Sequence, residues 1–427
     1  MSNNKSSKTG NKPISLQVGD FPEQFNLPQR HQRGAFWKVI FQISMIVGII
    51  ALSALIFNII NESFGYIALV NEVDPESLTP HGIPLDEISK DDLILILQEN
   101  VSSGLFRRLE RDQPFEERSR ENVLKLVIER VVNPEIVGTW PLSVSLFNKN
   151  NILYELEQNH PHAELIFQSW IDHEFFTSPQ SSKPLYAGVR TAILGSLWTI
   201  AITILFAFPL GVGAAIYLEE YAGDTWINRL IQTNINNLAG VPSIIYGMLG
   251  LAIFVRALGP LTSGTLFGVT DPVTSNGRTI LSAGLTLAIL ILPLIIINAQ
   301  EAIRAIPNSL RQASYGLGAT KWQTIWHHVL PNALPGILTG TILAISRAIG
   351  ETAPLVVVGA ATFITFDPEG PFSKFTTLPI QIYQWTARPQ EEFRNIAAAA
   401  IIVLLIMLLT LNAIAVLLRN HFSRRIS

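Results

Sequence analysis

The chain has no cysteine in 427 residues, which excludes disulfides, thiolate nucleophiles and cysteine zinc sites together and closes redox usage as a guide to compartment. Charge is also scarce. Asp, Glu, Lys and Arg make up 15% of the residues against 48% hydrophobic ones, and mean hydropathy is +0.33; ordinary soluble domains carry about 25% charged residues, so the composition is that of a membrane protein. A net charge of −3 gives no global field for nucleic acid or a headgroup surface. The chain lacks a G-x-x-x-x-G-K-[ST] phosphate loop and has no G-x-S-x-G or H-E-x-x-H arrangement, so neither nucleotide hydrolysis nor a hydrolase site is expected. His160, His162, Asp172 and His173 follow no zinc spacing and read as solvated side chains, leaving no metal and no catalytic residue expected.

What is abundant is apolar run length. About 20 mostly apolar residues cross a bilayer as a helix, and six stretches qualify: 36–60, 187–217, 229–256, 278–299, 335–362 and 395–418. The fold class is an all-α polytopic membrane protein. Residues 1–35 read as a disordered polar tail, and 36–60 as a retained signal anchor, too long for a cleaved signal. Arg30, Arg33 and Lys38, then Arg304, Arg311 and Lys321, then Arg419, Arg424 and Arg425 fall on one side, which the positive-inside rule makes cytoplasmic along with both termini and the 419–427 tail. Residues 68–183 hold twenty Asp or Glu against ten Lys or Arg. They are expected to form a mostly helical extracytoplasmic insertion, with helical spacing near 93–98, 121–132 and 163–176 and a linker at 177–184.

Residues 311–337, RQASYGLGATKWQTIWHHVLPNALPGI, are polar and basic between two apolar runs. Ser309 with Gln312 and Thr320 with Gln323 fit capping boxes that start two short helices, with Gly316 and Gly318 at the corner and Pro331 as the expected limit of the second. Trp322, Ile325, Trp326 and Val329 fall at i, i+3, i+4 and i+7, an apolar stripe that packs either under the membrane helices or on a partner.

The same segment resembles the inner loop of ABC importer membrane subunits through Gln312, Ala313, Ser314, Gly318, Val329, Leu330 and Pro331, with Gln312 where that family usually has Glu and His328 where it usually has Ile. LAGVPSIIYGMLG (238–250) and, more specifically, LAISRAIGETAPL (343–355) resemble phosphate permeases, and LGVGAAIYLEEY (210–221) and LPIQIYQWTARPQEEF (378–393) resemble those of the PstA type. The resemblance covers 187–418 and implies an importer transmembrane domain whose loop at about 300–334 is a coupling element. It also implies the partners: an ATPase dimer (PstB type) that carries ATP and magnesium, a second homologous permease subunit (PstC type) and an extracytoplasmic phosphate-binding protein (PstS type), in a cell membrane. Its long insertion departs from typical members; being acidic, it would repel phosphate and fits docking or packing against the binding protein better than a substrate site. Sulfate or molybdate import, a secondary transporter without an ATPase, and a membrane-anchored sensor remain the alternatives.

Arg347 and Glu351 lie within an apolar span at i, i+4, with Arg347 counted about 18 Å from the span's inner end. Such a charge costs roughly 2.5–3.5 kcal/mol at a helix centre. Either the pair only fixes packing, or Arg347 offers its planar fork to phosphate oxygens while Glu351 holds and partly neutralises it; the family pattern R-x-x-G-E implies the second. Asn234, Asn236 and Asn237 read as interhelical hydrogen-bond partners, and Arg190 and Arg256 as snorkelling side chains. Pro242 with Gly240 and Gly247, and Pro209 with Gly211 and Gly213, are expected to bend their spans.

Overall fold

Helix α1 (Leu27–Ser63) is 37 residues long, with no proline after Pro28 to stop it. The computed structural model describes residues 27–79, 83–269, 276–360 and 363–424. The expected tail at 1–35 therefore lies outside them up to residue 26, and its remainder is helical. Among the described residues, those up to Phe57 form a unit of their own, a helix with no buried apolar side chain; those from Asn58 on form the second unit.

The second unit starts with the inserted domain. Strand β1 (Phe64–Asn71) follows α1 without a linker. Three short helices come next, α2 (Lys90–Asn100), α3 (Ser103–Asp112) and α4 (Arg120–Val127). Each begins at a serine, Ser89, Ser102 or Ser119, whose side chain accepts from a first-turn N–H. Leu93, Leu97, Val123 and Val127 form a core of their own. Then come β2 (Pro134–Pro141), α5 (Leu142–Phe147), α6 (Lys149–Asn159), β3 (Glu164–Ser169) and α7 (His173–Thr177). The strands make an antiparallel sheet in the order β2-β1-β3. Helices do predominate, but the sheet is a departure: 163–176, expected as helix, holds β3 in its first half and only the short α7 in its second. Asp172, set aside as a metal ligand, caps α7 by accepting from the Phe175 N–H at 2.7 Å.

The membrane helices follow. α8 (Arg190–Ile216) continues through a π turn to Tyr221 and runs through Pro209 unbroken, so the bend expected at Pro209, Gly211 and Gly213 does not interrupt it. The third span is two helices, α9 (Trp226–Ala239) and α10 (Ser243–Gly250, extended to Ala257), which meet at 107° around Gly240 and Pro242. The expected bend is a full break, because Pro242 has no N–H to continue α9. After α11 (Gly259–Thr262), α12 (Ile280–Arg304) is the central helix, buried along Ala283, Leu287, Ile291, Ile295, Ala299 and Ile303. α13 (Asn308–Gly316) and α14 (Lys321–Thr324) lead through a π turn at Ile325–Val329 into α15 (Leu330–Gly350). α16 (Ala353–Val358), α17 (Leu378–Thr386) and α18 (Glu392–Arg424) complete the chain.

Among the described residues five helices are long and apolar enough to span a membrane, and the bent α9–α10 pair makes six. The fifth differs most from expectation. It runs as one helix from Lys321 to Gly350, not from 335 to 362. Pro331 does not end the preceding helix, because the Leu330 N–H reaches back to Ile325 O in an i→i+5 bond, a wider turn that makes room for the proline ring.

Candidate functional site

Two polar regions sit at the two ends of this long helix. At its start, α13 and α14 form an elbow. Thr320 and Gln323 make the expected capping box. Ser309 does not cap α13, which starts after Pro307 with no side-chain cap. Gly318 has φ +84°, a left-handed value that glycine adopts without strain, and it turns the chain between the two helices. Ser314 Oγ and Thr324 Oγ1 lie 2.8 Å apart and buried, clasping them together.

The elbow is fastened to the end of α8 by residues that sequence reading used only for topology. Arg311 donates through Nε and Nη2 to Glu220 Oε1 at 3.1 and 2.7 Å, and through Nη2 and Nη1 to the carbonyls of Ile303 and Ile306 at 3.0 and 2.7 Å. It thereby adds donors to the carbonyls where α12 ends and just beyond, and its side chain is 15% exposed against 6% for Glu220. Arg304 holds both carboxylate oxygens of Glu219, and Lys321 Nζ lies 5.2 Å from the Tyr221 ring centroid. The signal was present in LEEY, two acids and an aromatic at the end of one span, on the side where the basic loop falls.

The apolar stripe divides. Ile325 and Val329 are buried, while Trp322 and Trp326 stack on each other at 5.4 Å and stay exposed; the π turn shifts the phase, so four residues spaced as one face occupy two. Leu317 and Tyr315 are exposed beside them, and Gln312 and Ala313 lie on exposed positions of α13. The elbow therefore presents an apolar, aromatic outer surface on a rigidly tied support.

At the other end, α15 stops at Gly350. Glu351 takes an extended conformation (φ −76°, ψ 122°) and α16 restarts at Ala353–Pro354. Arg347 stands in the last turn, where the helix carbonyls favour a cation. Its Nε meets Glu351 Oε1 at 3.2 Å, with side chains 41% and 16% exposed. Among the described residues, its two terminal nitrogens have no partner. The pair thus sits at a break, not mid-helix, and Arg347 is 16 residues beyond Pro331, about 24 Å along the axis. Asn332, Gly336, Thr339, Leu343, Arg347 and Gly350 are the exposed positions on one side of α15, spaced by three or four, so the guanidinium belongs to a continuous open stripe. The two broken helices pack together: a Cβ on Gly247 of α10 would lie 2.7 Å from Pro354 Cα, so Gly247 serves this approach and not a bend. Ala344, Ala348 and Tyr246 share the buried cluster behind Arg347.

Other expected residues move elsewhere. Arg190 does not snorkel: it pairs with Asp367 at 2.9 Å and donates to Thr177 O. Asn234 donates to Leu230 O in its own helix, Asn236 accepts from Gln232 in the same helix, and among the described residues Asn237 makes no interhelical bond. Gln232 supplies the interhelical link instead, through Gln300 at 2.8 and 3.1 Å.

Against known proteins, residues 207–427 match the family described as binding-protein-dependent transport system inner membrane component. The chain is 33% identical over 225 residues to the probable ABC transporter permease protein YqgI of Bacillus subtilis, covering 52% of this chain and 69% of that one. It is 34% identical over 240 residues to phosphate transport system permease protein PstA 1 of Mycobacterium tuberculosis, 56% and 72% covered, and 38% identical over 202 residues to PstC of Pasteurella multocida, 45% and 62% covered. A solved structure of the MetNI methionine ABC transporter, in an inward-facing conformation, aligns at 18% identity with a TM-score of 0.40, covering 57% of this chain and 99% of that one. The family match leaves the inserted domain outside its range.

Proposed function

The chain belongs to the family of binding-protein-dependent transport system inner membrane components, and from that premise we propose that it is a permease subunit of an ATP-driven phosphate importer, lining half of the ion's path and carrying no catalytic residue itself. Its partners are a second homologous permease subunit, an ATPase dimer docked at the elbow, and an extracytoplasmic phosphate-binding protein.

The observation that carries this reading is Arg347, a half-exposed guanidinium on an open stripe, held through Nε by Glu351 with two terminal nitrogens unengaged. That free fork fits two oxygens of a phosphate. Glu351 fixes the fork and offsets part of its charge, so that the anion is held weakly enough to leave. The elbow supplies the drive. Because it is one helix with α15 and is bound to the ends of α8 and α12, a push on Trp322 and Trp326 moves three spans as a body and shifts the stripe that carries Arg347. With this polarity the elbow and both termini are cytoplasmic.

The test is ATP hydrolysis by the complex reconstituted in vesicles with its binding protein. Phosphate stimulates turnover and sulfate does not. Equal stimulation by sulfate or molybdate would reassign the cargo, and stimulation by no oxyanion would overturn the reading.

A further inference from the structure

We propose that α5 and the adjoining edge of the sheet form an interfacial anchor that seats the inserted domain in the boundary between headgroups and acyl chains of the bilayer. This goes beyond the transport reading and rests on a region outside the family match.

Three observations place this corner at membrane level. The Ser143 N–H donates to Asn61 Oδ1 at 2.7 Å in the last turn of α1, and Ser145 Oγ accepts from the Tyr66 N–H at 2.9 Å while donating to Trp140 O at 2.9 Å. The helix is thus clamped where a membrane span gives way to a strand. Pro141, the residue before α5, lines a cavity of about 460 Å³ together with Glu62, Ala398 and Ile401. The same cavity is lined by Glu391, Arg394 and Asn395 at the polar entry of α18, with Ala398 and Ile401 about 9–14 Å along it, so the start of α5 is level with the end of a second span, where polar residues give way to apolar ones.

The chemistry of the corner fits that depth. Leu146 and Phe147 are 66% and 84% exposed, and Tyr154 is exposed on α6. Trp140, Tyr66 and Phe167 stand opposite one another across the three strands, an aromatic row over which Lys149 Nζ lies 5.4 Å from the Tyr66 centroid. Aromatic belts with Lys or Arg are the side chains that settle at a membrane interface. Charge agrees: residues 136–154 contain Lys149 and no Asp or Glu, inside a domain with twenty acids against ten bases. A stretch without acids in an otherwise acidic domain suits contact with phosphate headgroups.

The cysteine-free chain makes the test direct. A spin label on Phe147→Cys in the full chain, reconstituted with its partners in nanodiscs of phosphatidylcholine and phosphatidylglycerol, is compared with one on Leu95→Cys, an exposed residue of α2. The proposal requires the ratio of oxygen to nickel-chelate collisions to be several-fold higher at 147 than at 95. Equal ratios would overturn it, placing both sites in water. A label at 147 immobilised and shielded from both reagents would also overturn it, in favour of a protein partner.

Discussion

Two Arg–Glu pairs stand at the two ends of one helix, and they are built in opposite ways. Arg311 and Glu220 are nearly enclosed, and the guanidinium meets a carboxylate, two backbone carbonyls and Asn308. Arg347 and Glu351 make one contact at a helix break, with the guanidinium 41% exposed. A saturated arginine has no donor left for a ligand, whereas an arginine held by one nitrogen keeps its fork. The first pair is a joint and the second is the proposed site. Residue type and the presence of an acid are the same in both; the difference is how many donors the fold has already used.

The largest effect that would sharpen this contrast is at the joint. Arg311→Ala leaves Glu220 buried without a partner and removes the side-chain donor from the Ile303 and Ile306 carbonyls; breaking a buried pair costs about 3–5 kcal/mol, so little assembled complex survives detergent extraction, as size-exclusion chromatography would read. Recovery at wild-type level would erase the distinction between the pairs. Next is Trp322→Asp, on the exposed side of the elbow: the ATPase no longer co-purifies while the two permease subunits stay together. Gly318→Ala forces a side chain into φ +84° and costs about 1 kcal/mol, lowering the midpoint of thermal unfolding by about one degree in a chain of this length and weakening coupling of hydrolysis to uptake. Smallest is Ser314→Ala. The buried Thr324 hydroxyl loses one partner but keeps Thr320 O at 3.1 Å, so the loss is at or below about 1 kcal/mol, seen as a slight shift in the same melt.

The contrast also explains what could be read without coordinates. Arg347 and Glu351 are four apart in an apolar run, so their pairing is local and visible. Arg311 and Glu220 are 91 residues apart, and nothing near either names the other. Thr320 with Gln323 and Gly318 were legible for the same local reason. Pro331 misled because a proline signals a stop unless the turn before it widens, and that π turn also split the Trp322–Val329 stripe between buried and exposed sides. The sheet escaped notice because FGYIALVN follows an apolar helix directly and reads as its continuation, while PEIVGTWP is bounded by prolines. The span at 229–256 looked continuous in hydropathy although Gly240 and Pro242 divide it by 107°.

The most direct measurement is phosphate uptake by vesicles carrying the intact complex with Arg347→Ala. The account predicts that this complex assembles, binds its ATPase and melts like the wild type, since a half-exposed pair contributes about 1 kcal/mol or less, yet moves no phosphate above background. Wild-type uptake by that complex would show that the open fork is not on the path.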